Sequence, residues 1–145
     1  MFQSPEAPYT VEFPKAPTED RLGVGAKGVY ETAISDLTFY TYAKESAVDI
    51  KNAKAAEKAL REFVKDSFAG PGNPIQDEKF YLLDGKYPTL DFRQTSDDGT
   101  SFAHTRGRFV VIKKQLLAFM AVTGFRPKAD DPAFDKFFAS IKITQ

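Results

Sequence analysis

The sequence predicts an α+β fold: an antiparallel sheet of about seven strands with helices packed on both faces. Residues 76–123 alternate between β-favouring runs and turns, which predicts a meander of about four strands. The last two strands, RFVVI and QLLAFMAV, are apolar at nearly every position and should be covered on both faces. Residues 52–68 instead repeat apolar side chains at helical spacing, which predicts a helix that covers one face of the sheet. The predicted turns of the meander are Asp84-Gly85, Asp98-Gly99 and Lys113-Lys114.

The first part of the chain predicts shorter strands. The run YTVEF (9–13) alternates and ends at Pro14, so it reads as a strand. The proline-containing segment PKAPTEDR (14–21) reads as a loop. The runs VYETAI (29–34) and LTFYTYAKE (37–45) are rich in β-branched and aromatic residues, and Ser35-Asp36 between them suits a turn. A hairpin is therefore expected before the long helix.

Both helices carry terminal signals. Asp49 or Asn52 can cap the long helix, and Gly70-Pro71 should end it. Asp131-Pro132 predicts an N-cap and a first-turn proline for a second, shorter helix. Aromatic side chains in both the hairpin and this helix are expected in the core rather than around a ligand, and they are Phe39, Tyr40, Tyr42, Phe134, Phe137 and Phe138. The final IKI suits one closing strand.

The composition argues against several classes of function. The 145 residues suit a single domain over 1–145, and 42% of them are hydrophobic. With 20 basic and 20 acidic residues the formal charge is zero, which argues against nucleic acid as a partner. The absence of cysteine removes disulfides and thiol chemistry. No apolar run approaches the ~18 residues of a membrane-spanning helix, and MFQSPEAPYT has no signal-peptide pattern.

The segment GVGAKG (23–28) matches the glycine spacing of dinucleotide-binding turns. That function requires a buried strand before the glycines and a helix after them, because the helix N-terminus holds the pyrophosphate. Here a proline-containing segment precedes the glycines and the strand VYETAI follows them. We therefore interpret the segment as a loop and expect no nucleotide cofactor.

Polar side chains cluster on one predicted hairpin. A two-residue loop at Asp98-Gly99 would place Arg93 opposite His104, and Asp91 opposite Arg106. Arg108 continues the same face by the period of two. Three interpretations stay open at this point: a solvated face with cross-strand ion pairs, a binding site for an anion or an acidic partner, and a catalytic His–Asp pair.

Metal chemistry has little support. With one histidine and no cysteine, a site would depend on carboxylates. Asp97-Asp98 is explained by a turn and Asp130-Asp131 by a helix cap, and neither has the spacing of a calcium loop. No metal is expected.

Four segments resemble the PsbP-like and DcrB-like proteins, whose Ran-binding eukaryotic relatives share the fold. They are FQSPEAPYTVEFPKAP (2–17), DGKYPTLDF (84–92), RGRFVVIKKQLLAFMAV (106–122) and FDKFFASIKI (134–143). The second departs from the family pattern in having Lys-Tyr before Pro88. The resemblance implies an α/β/α sandwich and a mostly non-enzymatic class of accessory or binding subunits, often exported to the cell envelope or the thylakoid lumen. It supplies no catalytic residue.

The leading hypothesis is therefore a non-enzymatic binding or accessory domain, extracytoplasmic if a targeting segment precedes residue 1. Its partner would be a protein or a small ligand. One alternative is a pocket for a lipid or small apolar ligand between helix 52–68 and the sheet, suggested by the aromatic content. Another is a small hydrolase or isomerase that uses His104 and Asp91.

Overall fold

The computed structural model describes residues 1–20, 27–45, 52–68 and 73–145. Seven antiparallel strands form the main sheet in the order β3-β4-β5-β9-β8-β7-β6, and three form a small sheet in the order β1-β2-β10. The strands are β1 (Phe2–Gln3), β2 (Tyr9–Val11), β3 (Thr18–Asp20), β4 (Lys27–Ile34), β5 (Leu37–Glu45), β6 (Ile75–Leu83), β7 (Tyr87–Asp97), β8 (Phe102–Ile112), β9 (Gln115–Thr123) and β10 (Lys142–Ile143). The helices are α1 (Ala53–Phe68), the 3₁₀ turn Arg126–Lys128 and α2 (Pro132–Ala139). The predicted fold class is confirmed.

Burial on both faces sets the position of β9. It lies at the centre of the main sheet, between β5 and β8. Six consecutive residues from Leu116 to Ala121 are buried, with alternate side chains in the two hydrophobic clusters on opposite faces of the sheet. The prediction from the continuous apolar run is confirmed.

Helix α1 covers one face. Leu60 and Val64 are buried against the sheet, and the ring centroids of Phe63 and Phe109 lie 5.1 Å apart. Asn52 caps the helix, since its Oδ1 accepts the Ala55 N–H at 2.9 Å. The other candidate cap, Asp49, and the predicted stop at Gly70-Pro71 lie outside the described residues.

Helix α2 and the small sheet cover the other face. Asp131 caps α2 as predicted, because its Oδ1 accepts the Ala133 N–H at 2.9 Å, and Pro132 follows in the first turn. The ring of Phe137 lies 5.0 Å from that of Phe39. Tyr9 of β2 packs edge-on against Phe119 of β9 at 4.9 Å. The small sheet therefore extends the cover that the short α2 begins.

Two of the predicted hairpin turns have the backbone that their residues favour. Ser35 and Asp36 both have positive φ, at 47° and 68°, as in the two-residue turns that match strand twist. Asp84 and Gly85 have φ of 57° and 72° between β6 and β7. Both hairpins are confirmed.

The turn at Asp98-Gly99 is larger than predicted. The β7–β8 pairing ends at Asp97 opposite Phe102, which leaves a loop of residues 98–101. The Asp98 carboxylate accepts the N–H groups of Ser101 and Thr100 at 2.7 and 2.9 Å. These bonds to the backbone hold the pKa of Asp98 well below its usual range and favour the wider loop.

Three other expectations need correction. Thr18–Asp20, within the segment predicted as a loop, is a strand paired with β4. The predicted strand 9–13 is shorter, and it pairs with β1 and β10 rather than with the main sheet. The closing strand likewise joins the small sheet. None of these short pairings has a strong pattern of its own, because each contains only two or three residues.

The glycine-rich segment is only partly described. Residues 23–26 lie outside the described ranges, so the loop interpretation stays a prediction. Gly28 has φ of 61°, where the β4–β5 pairing shifts register. A Cβ there would lie 2.6 Å from Oε2 of Glu6. The positive φ and the close approach of Glu6 therefore both favour glycine at position 28.

Within the described ranges, no helix combines the length and the apolar character needed to cross a membrane.

Gly107 of β8 should tolerate no side chain. A Cβ there would lie 2.4 Å from Cε1 of Phe92 and 2.9 Å from Sδ of Met120, both buried beneath α1. We expect Gly107→Ala to lower the free energy of unfolding by about 1–3 kcal/mol, measured by urea denaturation. Gly124→Ala is the matched control, because its Cβ would meet only the Phe102 carbonyl oxygen at 3.5 Å. Equal stability of the two variants would contradict the packing argument.

Candidate anion-binding pocket

The β7–β8 register places the predicted polar residues differently from the expectation. Asp91 lies opposite Arg108, Arg93 opposite Arg106, and Thr95 opposite His104. The predicted pairs, Arg93 with His104 and Asp91 with Arg106, are wrong because the loop has four residues instead of two. The resulting shift is an even number of residues, so all five predicted side chains remain on one face.

That face is the one covered by α2, and beside α2 it contains an open pocket of about 380 Å³. We call it the arginine pocket. Its lining residues are Asp77, Lys79, Asp91, Phe92, Arg93, Arg106, Gly107, Arg108 and Phe138. The ring of Phe92 is directed to the α1 side, where it packs on Phe109, and Gly107 has no side chain. The floor between the charged pairs is therefore strand backbone.

An ion pair forms one side of the pocket. Arg108 donates from Nε to Oδ1 of Asp91 at 2.8 Å and from Nη2 to Oδ2 at 3.2 Å. The Tyr81 hydroxyl donates to the same Oδ2 at 3.1 Å. Burial, together with this carboxylate, raises the pKa of Tyr81 to about 12 despite the nearby Arg108. Arg108 also donates from Nη1 to the Phe138 carbonyl at 3.0 Å, which ties the end of α2 to the sheet.

Arg106 is held by α2. Its Nη2 donates to Oδ1 of Asp135 at 2.8 Å. Its guanidinium lies 5.7 Å from the ring centroid of Phe134 and 5.6 Å from that of Phe138. The Arg106 side chain is only 15% exposed, whereas Asp135 is 76% exposed. The cation is thus the anchored partner and the carboxylate lies at the surface.

Arg93 differs from both of these arginines. It is half-buried and lies directly opposite Arg106. Among the residues that the structure describes, it has no hydrogen-bond or ion-pair partner. Like charges on directly opposite strand positions repel each other. Within the described ranges, the positive charge of Arg93 at the pocket is therefore not paired with an anion.

His104 lies next to the pocket but does not line it. It is 6% exposed, and its Nδ1 is 2.8 Å from Oγ1 of Thr95. Its Nε2 is buried without a hydrogen-bond partner in the described part of the chain. Burial lowers the pKa of His104, and the positive charges of Arg93 and Arg106 lower it further, while Asp130 opposes them.

The hypothesised catalytic pair is not assembled. Asp91 is bound to Arg108 and Tyr81, while His104 is bound to Thr95. Along β8, His104 is separated from the partner of Asp91 by four residues, or about 13 Å of strand. The ring of Phe134 lies 6.2 Å from the histidine ring.

Sequence reasoning missed two further charged residues of the pocket, Asp77 and Lys79. Lys79 lies opposite Asp91 on β6. A two-residue turn at Asp84-Gly85 would have placed Lys79 opposite Leu90 and on the other face, but the loop between Leu83 and Tyr87 has three residues. Asp77 lies within a bulge, at φ of 54°, and no sequence signal indicated it. The contribution of Phe138 depends on how α2 packs, which no spacing along the chain specifies.

Comparison with known proteins gives a result at the level of structure only. No family model matches the sequence, and no curated protein matches it. The cyanobacterial PsbP (CyanoP) of Synechocystis sp. PCC 6803 matches with a TM-score of 0.64 and 16% identity, over 98% of this chain and 90% of that one. This chain has the PsbP-like fold. The family resemblance seen in the sequence is therefore confirmed as a likeness of fold.

Two other PsbP-like structures match over most of their length. The Ran-binding protein Mog1p of Saccharomyces cerevisiae has a TM-score of 0.55 and 8% identity, over 95% of this chain and 91% of that one. LpqN, involved in cell envelope biogenesis of Mycobacterium tuberculosis, has a TM-score of 0.53 and 18% identity, over 94% and 91%. At such identities the PsbP-like proteins share an architecture with this chain, and the site must be argued from its own residues.

Removal of Arg93 should raise the pKa of His104, because the positive charge of Arg93 disfavours the imidazolium. We expect the Arg93→Gln variant to show this rise in an NMR titration of the imidazole C–H signals, which are unambiguous since the chain has one histidine. Arg126→Gln is the matched control, because Arg126 pairs with Asp97 and does not line the pocket. An unchanged pKa in Arg93→Gln would show that the two groups do not interact.

His104 should also make stability depend on pH. Its pKa in the folded protein is below its ordinary value, near 6.5 in an unfolded chain. Between these two values the unfolded chain binds more protons, so the free energy of unfolding should fall as the pH drops below about 6.5, by at most about 1.4 kcal/mol per pH unit. Urea denaturation between about pH 8 and 5.5 measures this slope. His104→Asn should flatten it, and an equal slope in that variant would assign the effect to other groups.

Proposed function

We propose that the protein is a non-catalytic binding protein, and that its arginine pocket recognises an acidic group of a protein partner. The observation that carries the proposal is the opposition of Arg93 and Arg106 without a matching anion on Arg93 among the described residues. A fold gains little from keeping two arginines face to face. A partner that brings a negative charge would remove their repulsion.

The chemistry of the pocket suits such recognition. Guanidinium groups bind carboxylates through paired N–H donors, and these charge-assisted bonds are stronger than neutral ones. Arg106 is oriented by two aromatic rings and Arg108 by Asp91, so little side-chain freedom remains to be lost on binding. Both arginines lie on β8, a central strand rather than a loop, which fixes their separation.

The two rival functions have less support. The hydrolase or isomerase would need His104 and Asp91 together, but each is bound elsewhere. The apolar-ligand pocket would need space between α1 and the sheet, where Leu60 and Val64 are buried and the Phe68 ring lies 5.2 Å from Phe92. Side chains occupy the position that such a ligand would take.

Two PsbP-like neighbours support the proposed role and compartment. Mog1p is a Ran-binding protein, which supports recognition of a protein partner as the proposal for this chain. LpqN is involved in cell envelope biogenesis, which supports an extracytoplasmic role as the proposal for this chain. Fractionation of the native organism would test the compartment, and recovery with the cytoplasmic fraction would contradict it.

Partner capture tests the proposed function. Wild type, Arg93→Gln and the control Arg126→Gln would be used as bait in native extract at low salt, followed by quantitative mass spectrometry. We expect one acidic protein to be retained by wild type and by the control, and its affinity for Arg93→Gln to fall at least tenfold, since a charged hydrogen bond contributes about 1.5–3 kcal/mol.

Added salt should weaken the same interaction, because the contact is ionic and partly exposed. Equal binding of the partner to wild type and Arg93→Gln would overturn the proposed role of the pocket. An enzymatic turnover that disappears in His104→Asn would overturn the non-catalytic assignment.

A further inference from the structure

We propose that the arginine pocket binds one carboxylate group, held between the guanidinium groups of Arg93 and Arg106. This inference rests on the proposed function and specifies the chemistry of the group recognised. It assigns recognition to Arg93 and distinguishes a carboxylate from a phosphate.

The first argument is geometric. Three consecutive cross-strand pairs of β7 and β8 build the site: Asp91 with Arg108, Phe92 with Gly107, and Arg93 with Arg106. The middle pair, Phe92 with Gly107, presents only backbone to the pocket, so no side chain of that pair would contact an anion bound there. Directly opposite residues have Cβ atoms about 5 Å apart, so both arginines of the third pair can reach one anion.

The second argument concerns the donors that remain available. Arg106 uses Nη2 for Asp135, and no other hydrogen bond of its guanidinium is present within the described residues. Arg93 uses none there. Each guanidinium therefore retains N–H donors, and a carboxylate with two oxygens can accept from both.

The third argument is the charge of the ligand. Four cations line the pocket: Lys79, Arg93, Arg106 and Arg108. They face two lining carboxylates, Asp77 and Asp91, and Asp135 neutralises Arg106 from outside. One positive charge is left, which a single carboxylate balances. A phosphate dianion would instead leave an excess negative charge close to Asp77 and Asp91, where like charges repel.

Electrostatics elsewhere in the fold support the assignment. The positive charges of Arg93 and Arg106 lower the pKa of the neighbouring His104. A carboxylate between the two arginines would offset that effect, so binding should raise the pKa of this histidine. Thr95, Thr123, Phe134 and Asp130 also surround His104, and their positions should remain unchanged.

NMR titration with small probes tests the inference. Acetate, acetamide and inorganic phosphate would each be added to the full chain at pH 8 and constant ionic strength, while the Arg Nε–H signals and the amides of Phe92 and Gly107 are followed. We expect saturable shifts with acetate and none with neutral acetamide. Phosphate should bind at least about fivefold more weakly than acetate, since the net charge favours a monoanion.

Variants identify the residue. Arg93→Gln should weaken acetate binding about tenfold, and Arg93→Lys should also weaken it because an ammonium lacks the planar fork. Arg126→Gln should bind as wild type does. Thermal unfolding would confirm that both Arg93 variants fold, which we expect because Arg93 has no partner to lose among the described residues. Undiminished acetate binding in folded Arg93→Gln would overturn the inference.

The source of the carboxylate is tested separately. The N-acetylated amide of glutamic acid, which mimics an acidic side chain of a protein, should bind at least as tightly as acetate and raise the pKa of His104. Recovery of a small organic acid by native mass spectrometry, displaced by acetate, would show the same chemistry in a free metabolite. It would retain the carboxylate inference and overturn the proposed protein partner.

The two proposals fail differently. Tighter binding of phosphate than of acetate, with loss in Arg93→Gln, would overturn the carboxylate inference and leave an anionic partner standing. No binding of any probe, together with equal capture of the partner by wild type and Arg93→Gln, would overturn both.

Discussion

Burial of both faces of β8 and β9 is the constraint on which the rest of the structure depends. Every residue from Phe109 to Ile112 on β8 and from Leu116 to Ala121 on β9 is buried, so both faces of each stretch are covered. Such strands must lie centrally and must be covered twice. Helix α1 supplies one cover with its apolar side, while α2 needs the small sheet beside it to complete the other.

The pocket exists because this second cover is short. Along β8, the side chains on the α2 face change from His104, Arg106 and Arg108 to Val110 and Ile112. The apolar half lies in the core cluster shared with α2 and the small sheet. In the polar half, α2 reaches the sheet through its aromatic rings and through Arg106 and Arg108, and the remaining space stays open. The same residues therefore dock the helix and line the site.

The two roles explain why the arginines differ in their partners. Arg106 and Arg108 each have a carboxylate and an aromatic ring, which is how a fold accommodates a partly buried cation. Arg93 has neither among the described residues, although it is half-buried and follows the buried Phe92 on β7. This contrast, and not the number of arginines, distinguishes a recognition site from a structural ion-pair network.

The sequence by itself determined the sheet, both helices and the hairpins at Ser35-Asp36 and Asp84-Gly85, because these follow from local periodicity and turn chemistry. The period of two along the strands also determined that five polar side chains share one face: Asp91, Arg93, His104, Arg106 and Arg108. Only the tertiary structure decided which residues of β7 and β8 lie opposite each other. Asp98 widened one loop and moved the register by two residues, which set Arg93 against Arg106 instead of His104. It also decided that His104 is buried and that Lys79 and Phe138 border the pocket, since packing between distant segments leaves no period in the chain.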